Sequence, residues 1–425
     1  MKKIKNVILQ GAFMVFLLIT MCSCQNQNRD IQKIDDTRYI VDQQMILILC
    51  EDSELGKAYT DAIKALKGNG DAILAAMKQL EDLDQTVSVK NAIGVAYNLL
   101  RDTEEAEMYF LEALEEVQNP TDQAILLSNL AEAKYYQKQF VKQYDEAASV
   151  MDQAVEEYRK VNTDLVLAMV LESNQIRLNM MKDYPEPLVK YSLRLKELLK
   201  EEKKQFGSNQ FIGMFNFQSM SLACHYDGWD ISHSLEYVEK AIELNHQLYQ
   251  YVFFDIHMYN MIADMYYYET DSAEKRLEYK EKCIRLLDEW QSSWHYDRLQ
   301  LYSKRAQSYY SMGELEKAVD DYNTVLEQSK SDTDLVAVSY YNLGQIELKE
   351  YKEPEKALDY MLRAYCIWQR YDRKDSLRTM KNAIENIYWH YGYADESSNF
   401  NKWFHENIEK TRDKMMPREG DEYEK

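Results

Sequence analysis

Residues 93–113 read IGVAYNLLRDTEEAEMYFLEA, and residues 306–325 read AQSYYSMGELEKAVDDYNTV. In the first stretch Gly94 is followed at intervals of 12, 16 and 19 by Ala106, Phe110 and Ala113; in the second Ala306 is followed at the same intervals by Ala318, Tyr322 and Val325. Tyr97 and Tyr309 stand three places after the first small residue, on the same helical face. The spacing predicts two antiparallel helices joined by a short turn. The small residues let the helices approach closely, and the aromatics fill the volume left between them. Phe110 with Ala113, and Tyr322 with Val325, form the buried stripe of the second helix. Gly313 suits the left-handed residue that ends the first helix of its unit.

Weaker copies recur at intervals of about forty residues. Leu343–Gly344 with Ala357, Met361 and Ala364 fits if one residue is inserted, and Leu130–Ala131 with Ala147, Met151 and Ala154 fits with four. Ala223–Tyr226 with Ser234, Val238 and Ala241, and Ile262–Ala263–Tyr266, are fainter. Residues 163–203 carry two helical patterns without the small-residue signature, a degenerate unit. The pattern resembles the tetratricopeptide repeat (TPR). The resemblance implies an all-α fold: an α-solenoid of stacked helical hairpins in a right-handed superhelix. The long period predicts helices with an extra turn. Scarce breakers agree, since 425 residues contain only 12 Gly and 5 Pro and leave little room for anything but helices and short turns.

The chain divides into a signal peptide (1–23), a polar tether (24–37), N-terminal helices forming an atypical repeat (38–90), TPR-like repeats (91–382), an atypical or capping repeat (383–414) and a charged tail (415–425). The first helix is expected to begin near Thr37 or Arg38. At the start, Lys2, Lys3 and Lys5 precede a mostly apolar stretch, Val7–Met21, too short to span a membrane as a helix. Met21-Cys22-Ser23-Cys24 follows and resembles a bacterial lipobox cleaved by a type II signal peptidase, although Met21 stands where leucine is usual. This resemblance implies lipidation of Cys24, with acyl chains such as palmitate holding the protein at an extracytoplasmic membrane surface. It does not fix the leaflet.

Net charge is −21. Such a surface repels phosphate backbones, so nucleic acid is excluded as a partner. No phosphate-binding loop, nucleophile elbow or HExxH arrangement occurs, and the seven histidines are scattered. An enzyme is not expected, nor any cofactor or metal. Cys50, Cys224, Cys283 and Cys366 lack zinc or redox spacing. They read as small apolar residues in packing faces, with a Cys224–Cys283 disulfide between neighbouring units as the alternative.

In the resembled family the exposed face of each first helix lines a concave groove. The resemblance places Asn91, Asn129, Tyr135, Asn260, Tyr267, Gln307, Tyr310, Tyr341 and Asn342 there. Amides can bond a peptide backbone, and tyrosine offers contact area with a polar tip. The same tyrosines also suit gap-filling between long helices. The basic clamp used by co-chaperone repeats for a terminal carboxylate is missing. The expected function is a membrane-anchored scaffold that binds a protein or peptide through its concave face. The alternatives are a small-molecule or glycan receptor, or a peptide-sensing module acting through a partner.

Overall fold

The computed structural model describes residues 33–40, 44–49, 56–100, 102–136, 142–182, 188–226, 231–267, 272–289, 295–329, 333–370, 374–394 and 399–415. Cys24, the lipobox, Cys50 and the charged tail after residue 415 lie outside them. The described residues form a short hairpin, β1 (Tyr39–Ile40) and β2 (Met45–Ile46), followed by eighteen helices. These are α1 (Gly56–Ala65), α2 (Gly70–Glu81), α3 (Val87–Leu99), α4 (Thr103–Glu116), α5 (Pro120–Tyr136), α6 (Lys142–Arg159), α7 (Leu165–Met180), α8 (Leu188–Phe206) and α9 (Phe211–Tyr226). They continue as α10 (Ile231–Leu248), α11 (Val252–Tyr267), α12 (Ala273–Glu289), α13 (His295–Ser311), α14 (Leu315–Gln328), α15 (Asp334–Ile346), α16 (Pro354–Arg370), α17 (Lys374–His390) and α18 (Phe400–Lys414). From α3 to α16 the helices pack in consecutive pairs, each pair stacks on the next, and α17 and α18 both pack on α16. Among the described residues no helix is long and apolar enough to cross a membrane.

The small residues act as the spacing predicts. A Cβ added at Gly94 would lie 2.6 Å from the Phe110 ring, and one at Gly344 would lie 3.0 Å from Met361 Cγ and 3.1 Å from the Ala357 carbonyl. Each glycine is therefore the point where α3 meets α4, or α15 meets α16. Helix starts are fixed by side-chain caps: Asn69 Oδ1 accepts from Ala72 N–H at 3.0 Å, and Asp164 Oδ1 accepts from Val166 and Leu167 N–H at 2.9 and 3.1 Å. Gly313 has φ +77°, and Glu314 N–H closes onto the Tyr309 carbonyl at 2.9 Å, ending α13 as expected.

The residue inserted between Gly344 and Ala357 is absorbed inside the helix. Residues Glu347–Tyr351 form one π-helical turn, which ends at Lys352 in the left-handed region, φ 61°. A π turn holds one extra residue without moving the flanking stripes out of register. The extra turn expected from the long period is present in the middle of the chain. Helices α5 to α13 have 16–19 residues, against 13 and 14 in α3 and α4. The degenerate segment forms α7 and α8, which pack together more loosely than the other pairs between α3 and α16. At the far end Tyr388 meets Trp403 at 4.7 Å and Phe400 at 5.4 Å, so α17 and α18 close the stack with an aromatic cluster. Cys224, Cys283 and Cys366 are free and buried, as expected of packing residues, and the disulfide alternative is not realised.

One expectation fails. No helix begins at Thr37 or Arg38; the chain there is extended and turns back on itself. The run Met45-Ile46-Leu47-Ile48 is fully apolar and too short for a helix of its own. Its residues are 0–3% exposed, so the run, which opens with the strand β2, is buried on every side.

Candidate functional site

The first helices of the pairs from α3 to α9 are α3, α5, α7 and α9, and successive ones touch. The sides of α5 and α7 are buried around the whole circumference, unlike α8, which buries only Leu188, Leu195, Leu198 and Glu202. A helix apolar all round is covered on all sides. The cover on the inner side is the chain's own N-terminal segment.

That segment is held by its backbone. Asn129 on α5 accepts from the Ile46 N–H at 2.9 Å and donates to the Ile46 carbonyl at 2.7 Å. Asn91 on α3 donates to the same carbonyl at 3.2 Å, and the two asparagines are joined at 2.7 Å. One turn further along the wall, Asn174 on α7 donates to the Gln44 carbonyl at 3.0 Å. The Gln44 side chain accepts from Arg177 Nε at 2.9 Å and donates to Gln218 on α9 at 3.2 Å. Gln210, just before α9, accepts from the Ile34 N–H at 2.6 Å and from the Tyr249 hydroxyl at 3.1 Å. Between these bonds Tyr39, Ile40 and the Met45–Ile48 run join the same core cluster as α3, α5, α7 and α9.

Arg177 is buried against Glu132, which takes both hydrogen bonds from one guanidinium nitrogen, and its guanidinium carbon lies 4.8 Å from the centre of the Tyr135 ring. Burial works against the charge, but the Glu132 carboxylate outweighs it and holds Arg177 above the ordinary arginine range. Arg177 thus stays charged, and its Nε is left to grip Gln44.

The sequence-predicted residues separate into two sets. Asn91, Asn129 and Tyr135 gather around the hairpin and its floor. Asn260, Gln307, Tyr310, Tyr341 and Asn342 sit half-buried on α11, α13 and α15; the Tyr267 side chain lies outside the described residues. Tyr310 packs on the Ala306–Tyr322 spine, and Tyr341 lies 6.1 Å from Trp368, so these tyrosines serve partly as core. Asn260 accepts from Lys280 on α12, which also donates to Asp264 at 2.8 Å; Lys304 on α13 reaches the other Asp264 oxygen at 2.5 Å. Burial, then repulsion from Lys304, pushes Lys280 down to about 8. Burial pushes the Asp264 carboxyl up, but the two lysines prevail and hold it below its usual range.

Asn174, Arg177, Gln210 and Gln218 belong to the wall and were not anticipated. Their helices lack the repeat signature or fall at its edge. The signal that could have found them is the continuous apolar run that opens α7, LVLAMVL (165–171), followed on the same helix by Asn174 and Arg177: buried polar groups on a helix with no solvated face need a partner.

Tetratricopeptide-repeat family models match residues 87–116 and 297–379. No curated protein sequence matches significantly. The structure is similar to the Rap protein complexed with Competence and Sporulation Factor, with TM-score 0.50, 14% identity, and coverage of 85% of this chain and 89% of that one. It is also similar to the apo quorum sensor NprR from B. thuringiensis, with TM-score 0.51, 10% identity, and coverage of 84% and 99%. A STAND signal-transduction ATPase with a tetratricopeptide-repeat sensor from Pyrococcus horikoshii gives TM-score 0.47 and 16% identity over 73% of this chain, which spans 46% of that protein's length. Residues 87–116 and 297–379 are tetratricopeptide repeats, set in an α-solenoid of stacked helical hairpins.

Proposed function

We propose that this protein is a binding scaffold and not an enzyme, held at an extracytoplasmic bacterial membrane surface by lipid on Cys24, and that it takes a protein or peptide along its inner wall. The observation that carries the binding reading is Asn129, which bonds both the N–H and the carbonyl of one extended residue, Ile46. A side-chain amide placed this way recognises a strand by its backbone and leaves the ligand's side chains to the neighbouring apolar surface. The N-terminal half of the wall is taken by the chain's own segment. The half-buried amides and tyrosines of α13 and α15 are therefore the face offered to a partner. The similarity to Rap in complex with its factor is in keeping with a solenoid that holds a ligand.

Capture from detergent-solubilised envelope tests the binding reading. Wild type is expected to retain a partner that a Tyr310→Ala/Asn342→Ala variant loses; identical partners from both would remove the α13–α15 face from the account. Metabolic labelling with a fatty acid tests the anchor. Label is expected on wild type and absent from Cys24→Ala, and label persisting on that variant refutes the site.

A further inference from the structure

We propose that the wall of α3, α5, α7 and α9 is itself a second ligand site, and that an extended aliphatic segment of another polypeptide occupies it in exchange for residues 44–49. This rests on the scaffold reading and names the chemistry of a partner segment. Four observations converge on it.

The wall grips mostly backbone: Asn91 and Asn129 hold Ile46 and Asn174 holds the Gln44 carbonyl, and the one side chain it bonds is that of Gln44, through Arg177 and Gln218. Any extended chain presents an N–H and a carbonyl as Ile46 presents them to Asn129. The occupant's own pairing is slight: among the described residues Tyr39↔Ile46 and Ile40↔Met45 pair, and Leu47 N–H bonds the Arg38 carbonyl at 2.7 Å. A two-residue pairing supplies little independent stability.

The wall also has unused capacity. Asn174 is fully buried with its Nδ2 on Gln44, yet its Oδ1 has no hydrogen-bond partner among the described residues; the same is true of Ser128 Oγ, one residue before Asn129. Buried amide and hydroxyl groups are ordinarily satisfied.

Finally, the segment precedes every described helix, so it can leave the wall without unthreading any of them. Exchange must restore the contacts of Met45, Ile46, Leu47 and Ile48, which are 0–3% exposed. A polar or helical ligand cannot do that. The occupant is therefore an extended stretch of aliphatic residues with a free backbone.

The test uses the full chain and, as probe, a fluorescent peptide with the sequence of residues 44–49 flanked by lysines for solubility. Three proteins are compared by anisotropy: wild type, a Gln44→Ala variant that releases Gln218 and Arg177, and a Gln44→Cys/Gln218→Cys variant joined by a short bis-maleimide. The probe is expected to bind Gln44→Ala at least tenfold more tightly than wild type and not to bind the joined protein. Saturating probe is expected to strip hydrogen-exchange protection from the Ile46 and Leu47 amides of wild type while the helices keep theirs. If Gln44→Ala does not fold by circular dichroism, wild type against the joined protein decides alone. Binding indifferent to the joint, or hairpin amides still protected at saturation, overturns the exchange. A partner captured through Tyr310 and Asn342 but indifferent to the joint would overturn it too, while leaving the scaffold reading intact.

Discussion

Asn129 shows what a single side chain does in this wall. It joins two helices through Asn91 and a strand through both polar groups of Ile46, with every member buried. Truncation leaves the Ile46 N–H and the Asn91 Oδ1 short of a partner, while the Ile46 carbonyl keeps Asn91, and each orphaned group is expensive in a low-dielectric interior. Asn129→Ala is expected to cost about 3 kcal/mol in urea unfolding and to raise exchange at the Ile46 amide. Lys280 shows the opposite economy, a buried cation whose charge is disfavoured. Its folded value is about 8, whereas a lysine in the unfolded chain titrates near ~10.4. Between the two the unfolded chain holds the proton and the folded chain has released it, so stability from this group rises with pH through that window. A Lys280→Met variant lacks the rise. The stability difference, wild type minus variant, is expected to grow by about 1–3 kcal/mol from pH 7.5 to 10 in paired urea titrations.

At the scale of the element, the helical hairpin depends on close approach at its small residues. The missing Cβ of Gly94 faces a fully buried Phe110 ring. Gly94→Ala is therefore expected to destabilise by about 1–3 kcal/mol, and Phe110→Leu in the same chain to recover part of the loss by vacating the contact, both read from the urea midpoint. Gly313 is exposed, with nothing near a would-be Cβ, so its requirement is conformational alone. Gly313→Ala is expected to cost only about 1–2 kcal/mol, the strain of a left-handed alanine. The spacing of residues 93–113 and 306–325 disclosed all of this in advance, because contacts within one hairpin are local and repeat. The hairpin of β1 and β2 was not disclosed. It occurs once, and its strands are too short to show alternation.

For the whole molecule, a solenoid without the N-terminal segment would be a sum of units and nearest-neighbour contacts. Residues 34–40 and 44–48 change that over half its length: α3 and α5 bond Ile46, α7 and α9 bond Gln44, and all share a single core with the segment, while α15 to α18 keep a separate cluster. The N-terminal half is expected to open as one cooperative unit in native-state hydrogen exchange. Asn129→Ala is expected to raise exchange across α3 to α9 and to leave α15 to α18 unchanged; equal effects in both halves would contradict this division.

The amino-acid sequence by itself determined the hairpin unit, its packing stripe and the inserted residue after Gly344. Those features rest on intervals of three to nineteen residues, short enough to be written as a pattern. It also marked Asn91 and Asn129 as inner-wall residues. Only the tertiary structure decided what they hold. The bonds from Asn129 to Ile46 and from Gln210 to Ile34 join residues 83 and 176 positions apart, and no periodicity encodes a contact between a repeat and a segment that does not repeat.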